Sequence, residues 1–306
     1  MEEVVTPEAK SPPHRRWWPP ITTLMMHVRH AYWGAFQHDC VNIAKATAYS
    51  AIFAVFPALL VAAAALTMLP QMNPMRFELA LFFDRVLPAT VGPMLENYFI
   101  FANRSPQSTH VLIGAALVSV SGAAGVIGTL MEGFRRAYGR SRWGEIERRV
   151  RAFALVPLAV VPFTITSVLV VFGHTFLLWL LHHTPGEVKT SIFVMASVVR
   201  WIVSLVGTAT AIALIYRWGT PPGRSPATAS MSLREVLPGA WFATAMWLVS
   251  TLVFGLYVRH FANYSEVYGS LGAGVLLLVW LFISSMSVLC GAELNVELCG
   301  HRKHRE

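Results

Sequence analysis

One arginine stands in the middle of an apolar run. Arg200 sits between MASVV and WIVSLVG, and Ser197, Ser204, Gly207, Thr208 and Ala211 recur on its face at helical spacing. A guanidinium flanked by hydroxyls can hold an anion or a lipid headgroup. In mid-bilayer an arginine costs about 2.5–3.5 kcal/mol, so its presence asks for a reason. Arg200, Ser197, Ser204 and Thr208 are therefore candidate substrate contacts. A positional reading competes: about 26 Å of helix separates Arg200 from Arg217. That length places Arg200 near the outer interface, where it snorkels to water. The spacing favours this second reading.

Three carboxylates also lie at the ends of apolar runs. Glu293 and Glu297 are one helical turn apart, and Glu132 precedes Arg135 and Arg136. Such groups can bind a cation or take protons in coupled transport. The plainer expectation pairs them with nearby arginines, or with His301, at the membrane surface. His27, His30 and His38 share one side of a polar segment. However, about 16 Å of helix lies between His27 and His38, too far for one metal ion. No metal or cofactor is expected. His174 reads as a lone packing histidine. Cys40, Cys290 and Cys299 form no CxxC or paired pattern. No P-loop, GxSxG or dinucleotide fingerprint occurs, which argues against ATP-driven transport by this chain alone and against an enzyme.

These side chains need long apolar helices to hold them. Leu271 to Cys290 carries no charge and no proline, and about twenty residues of helix match a bilayer's hydrocarbon core. The 306 residues are 55% hydrophobic and only 13% charged, about half the charge of soluble domains. Mean hydropathy is +0.53. The expected fold is all-α: a polytopic bundle of six transmembrane helices with amphipathic interfacial helices. Residues 1–20 read as a polar, proline-rich tail without a secretory leader. Residues 21–46 read as an amphipathic surface helix. The bundle is expected over 47–298, with spans at about 47–69, 110–131, 152–181, 191–216, 238–258 and 269–291. Residues 299–306 form a basic tail. Two short amphipathic helices are expected within 70–108, and a Pro/Gly/Ser-rich loop over 217–237. Pro57, Pro157 and Pro162 are expected to kink their helices. Ser121, Gly122, Gly125 and Gly128 form a small-residue stripe for close helix approach. Trp247, Phe254, Tyr257, Phe261, Tyr264 and Tyr268 read as an interfacial belt.

The net charge of +8 has a definite distribution. Lysine and arginine concentrate in the N-terminal segment, in the loop bearing Arg135, Arg136, Arg140, Arg142, Arg148, Arg149 and Arg151, in the 217–237 loop and in the final tail. The opposite side holds Arg76, Arg85, Arg104, Lys189 and Arg259. By the positive-inside rule both termini are cytoplasmic, and six spans require that both lie on one side. The basic side is expected to meet anionic lipid headgroups rather than nucleic acid. Self-association is left open.

Several stretches resemble the YihY/BrkB family. AYSAIFAVFPALL (Ala48–Leu60) is similar to that family's AYYxLFSLFPLLL signature, with Ser50 and Ala54 departing from it. Arg136-Ala137-Tyr138 matches its RAY element, and Pro238-Gly239-Ala240 its PGA element. Phe261–Leu298 carries YGSLGA, Trp280 and GAELN, with Phe282 where tyrosine is common. The resemblance implies a six-helix protein of the bacterial inner membrane and no established catalytic residue. The expected activity is transport or lipid handling across the envelope. The alternative is a structural or assembly factor linked to virulence or serum resistance. The tRNA-processing ribonuclease label once given to some members is disfavoured, because metal-assisted phosphodiester hydrolysis needs clustered carboxylates and histidines.

Overall fold

The computed structural model describes residues 21–67, 107–162, 189–222, 231–261 and 264–303. Among them, all regular structure is helical. The segments are α1 (Ile21–Gln37), α2 (Cys40–Thr67), α3 (Gln107–Ala137), α4 (145–162), α5 (Lys189–Gly219), α6 (Leu233–Phe261) and α7 (Tyr264–Lys303). Five of them, α2, α3, α5, α6 and α7, are long and apolar enough to cross a membrane. The span expected over 152–181 is described only to residue 162. The short helices expected over 70–108 lie outside the described residues apart from the start of α3, as do the 1–20 tail and His174.

Two helix boundaries differ from the sequence expectation, each for a local reason. The polar segment does not run on to residue 46. It breaks at His38–Asp39, where Asp39 takes a left-handed φ of 62°. Aspartate tolerates that conformation because its short side chain bonds locally. Here Asn42 Nδ2 donates to Asp39 Oδ1 at 2.6 Å. The other boundary is the start of α6. Residues 233–237 read as loop, yet α6 begins at Leu233. Glu235 N donates to the Ser232 carbonyl at 3.1 Å, and Ser232 N donates to Glu235 Oε2 at 2.9 Å. The carboxylate reaching back to the Ser232 amide is one half of a capping box. Pro238 therefore lies inside α6 rather than at its start. At the end of α3, Gly139 (φ 58°) provides the left-handed cap, and Arg140 N donates to the Arg135 carbonyl at 2.9 Å.

Helix α7 is the hub: α1, α2, α3 and α6 all pack on it, α2 packs along α3, and α5 packs on α6. Small residues permit the close approaches. A Cβ on Gly122 would meet Ala54 at 2.8 Å, one on Gly125 would meet Ser50, and one on Gly128 would meet Ala152. The expected stripe on α3 thus seats α2 and α4. In membranes such contacts do the work that the hydrophobic effect does in water.

Burial is concentrated at one end. On α3 it runs from Ala124 to Ala137, on α5 from Ala209 to Tyr216, on α6 from Val236 to Thr244 and on α7 from Met286 to Asn295. This is the arginine-rich end. The other halves expose Ile113, Leu117, Val198, Trp201, Val249 and Leu252. Exposed apolar rows of this length suit a lipid surround. Helix α2 carries Pro57 half-buried, and α4 carries Pro157 exposed and Pro162 half-buried.

Candidate functional site

The converging end holds the polar chemistry. Glu293, on the buried side of α7, is 2% exposed. His38 Nδ1 lies 2.8 Å from Glu293 Oε1, and Cys40 Sγ donates to the same oxygen at 3.6 Å. The α1–α2 corner at Asp39 is what carries both residues to the carboxylate. Gly34 of α1 lies against it too: a Cβ there would stand 3.1 Å from Glu293 Oε2. His27, Ala31 and Ala35 form the buried stripe of α1, while Tyr32, Trp33 and Phe36 face outward. Glu293 was expected to pair with an arginine or His301; its partner is His38.

Glu132 fits the plainer expectation. Arg135 clamps it through Nη2 at 2.7 Å and Nε at 2.9 Å, and Arg136 Nε adds a bond at 3.2 Å. Arg136 Nη1 also donates to Asp39 Oδ2 at 3.0 Å, tying the end of α3 to the α1–α2 corner. Glu297 stays half-buried one turn beyond Glu293. Arg142 and Arg148 share Glu145, and Arg151 pairs with Glu147 while stacking 4.0 Å over Trp143. Among the described residues no three His, Cys, Asp or Glu side chains converge as metal ligands would.

Sequence reasoning missed Asn295 as a working residue. It is fully buried, accepts from Gly239 N at 2.7 Å and donates to the Val236 carbonyl at 3.1 Å. Pro238 lacks an amide and disturbs the ladder of α6 around it. The Asn295 carboxamide engages backbone groups on either side of that proline as a peptide group would. Beside it, Gly239 and Gly291 bring the α6 and α7 backbones into contact. Tyr216 donates to the Val288 carbonyl and meets Phe134 edge-on at 5.1 Å. The Tyr138 hydroxyl is buried nearby, and burial pushes that phenol above its ordinary range. The GAELN and PGA motifs contained these residues; only the fold shows that they meet.

Arg200 lies in the other half of α5, on one face with Ser197, Ser204 and Thr208, all half-buried. Ser204 Oγ donates to the Arg200 carbonyl at 2.9 Å and Thr208 Oγ1 to the Ser204 carbonyl at 2.8 Å. Both hydroxyl protons are spent inside the helix. An anion at this face would be met by the guanidinium, with the hydroxyls acting only as acceptors. The Glu293 cluster and the Arg200 face are separate sites.

A chain of apolar helices that pack through glycine contacts and expose long apolar rows is a multi-pass membrane protein. The family model described as Virulence factor BrkB matches residues 31–306, and the chain belongs to that family. A UPF0761 membrane protein of Chromohalobacter salexigens is 28% identical over 95% of this chain and 67% of its own length. One from Tolumonas auensis is 26% identical over 87% of this chain and 83% of its own. The ribonuclease-like protein YfkH of Bacillus subtilis is 42% identical over 73 residues, which span 24% of this chain and 26% of that protein. No solved structure matches the chain.

Proposed function

We propose that this protein moves or handles a lipid or other amphipathic anion across the bacterial inner membrane. In this reading both termini are cytoplasmic, the sixth span runs on from α4, and the arginine-rich end meets anionic headgroups. The observation that carries the reading is the asymmetry of burial. Helices α3, α5, α6 and α7 close on one another at the arginine-rich end, while Arg200 stands half-buried among the exposed apolar residues of the other half. A headgroup held by Arg200, with its tails along the exposed rows of α5 and α6, fits that layout. The absence of a nucleotide-binding motif argues against ATP-driven transport by this chain alone.

The second reading, a structural or assembly factor of the envelope, has its own observation. Ser204 and Thr208 donate to their own helix, as hydroxyls with a packing role do. No ribonuclease activity is proposed: Glu132, Glu145 and Glu147 are each held by arginine.

Movement of a fluorescent anionic phospholipid in proteoliposomes separates the two. Wild type is expected to exceed the protein-free rate, and Arg200→Ala to lose about tenfold, as befits a charged contact worth about 1.4 kcal/mol or more. Equal, background rates for both proteins would remove the transport reading.

A further inference from the structure

Glu293 is the only buried carboxylate among the described residues, and no lysine or arginine pairs with it there. Its Oε1 faces His38 Nδ1 at 2.8 Å. Two such atoms approach that closely only with a proton between them. The two side chains differ in access: 40% of the His38 side chain is exposed, against 3% for Glu293. Water therefore reaches the imidazole, and the imidazole reaches the carboxylate. Glu132 offers no such route, since two guanidiniums hold it as a carboxylate.

We propose that His38 and Glu293 form a proton-binding relay open to the arginine-rich side. The step balances without a co-reactant. Hydronium gives a proton to His38 Nε2. The Nδ1 proton then passes to Glu293 Oε1, and the electron pair of the N–H bond stays on Nδ1. The ring returns to neutral carrying its proton on Nε2, and the carboxylate becomes a carboxylic acid. Net uptake is one proton, and nothing is oxidised.

The surroundings are specified. The α1–α2 corner contributes His38 and Asp39, the latter held by Arg136. Helix α2 contributes Cys40, whose thiol shares Glu293 Oε1. Helix α1 contributes His27, buried on the stripe that faces α7. Tyr138 lies just past α3, and Cys290 and Glu297 flank Glu293 on α7 itself. Neutralising Glu293 alters the contact by which α1 and the start of α2 are fastened to α7. That is how proton uptake would drive a transport cycle, a role that rests on the function proposed above; the relay itself does not.

The test is an infrared pH titration of the full chain in lipid nanodiscs. The expected result is a protonated-carboxyl band that grows as pH falls. One component of that band is lost in Glu293→Gln and retained in Glu132→Gln. In His38→Gln it grows in at higher pH, because the imidazole no longer bonds the carboxylate. The Cys40 S–H stretch, identified by its loss in Cys40→Ala, is expected to shift with the same midpoint. This readout needs no change at Glu293. A carboxyl band left unchanged by Glu293→Gln, or an S–H stretch indifferent to pH, overturns the relay. If the band behaves as expected while wild type moves no lipid, the relay stands and the transport reading falls. If lipid moves but ignores an imposed pH gradient, the coupling role is overturned.

Discussion

Replacing Gly291 by alanine is expected to lower the stability of the bundle by about 3 kcal/mol, the upper end of what overpacking costs. A Cβ at Gly291 would run into the Gly239 carbonyl, the Tyr216 hydroxyl and Ala243 at once. None of these can retreat cheaply. The carbonyl belongs to a helix backbone, Tyr216 is fully buried with its hydroxyl on the Val288 carbonyl, and Ala243 is fully buried. Thermal unfolding of the purified protein in one detergent reads the effect. The control is Gly255→Ala on α6, because a Cβ there meets nothing within 4 Å. That change should be neutral or slightly stabilising, since alanine is the better helix former. A Gly291→Ala protein with the wild-type midpoint would mean that α6 and α7 do not meet here.

Asn295→Leu is the second large effect, expected at about 2–4 kcal/mol. Leucine keeps asparagine's branching but is bulkier, so overpacking adds to the loss of the hydrogen bonds. It strands the Gly239 amide and removes a donor from the Val236 carbonyl, both in a buried place. Each unsatisfied buried group costs about 1–3 kcal/mol. The effect should depend on Pro238, which creates the need. In the double variant Pro238→Ala/Asn295→Leu, the helix ladder can reclaim the amide, and part of the loss should return. The coupling energy of that cycle is the quantity to measure. Strict additivity would show that Asn295 does not serve the proline break.

These two sites mark how far the sequence carries. The membrane class was legible because an uncharged run such as Leu271–Cys290 has no other economical use. The PGA and GAELN elements were legible as motifs. Their meeting was not, because Gly239 and Asn295 are 56 residues apart and nothing local records the contact. The same holds more strongly for His38 and Glu293, 255 residues apart. The His38 side of the joint was hidden further. A corner made by a non-glycine residue at positive φ leaves no glycine or proline to announce it, so 21–46 read as one helix. The start of α6 was a different kind of failure. Ser232 and Glu235 carry the capping signal in plain sight, but the Pro/Gly/Ser content of the preceding residues outweighed it. The polar stripe beside Arg200 was placed correctly on one helix face. What the sequence could not record was that Ser204 and Thr208 donate to their own backbone.

The layout as a whole has one direct test: the side from which each level of α5 can be reached. In a chain with Cys40, Cys290 and Cys299 changed to serine, single cysteines are introduced by Arg200→Cys and by Ala213→Cys. Intact cells are then treated with a membrane-impermeant maleimide. Arg200→Cys is expected to label from outside, and Ala213→Cys, at a position only 2% exposed within the closed end, is expected to stay unlabelled. Labelling of position 213, or protection of position 200 from outside with reaction only in inverted vesicles, would contradict the proposed orientation, in which the closed end is cytoplasmic and Arg200 lies toward the far side.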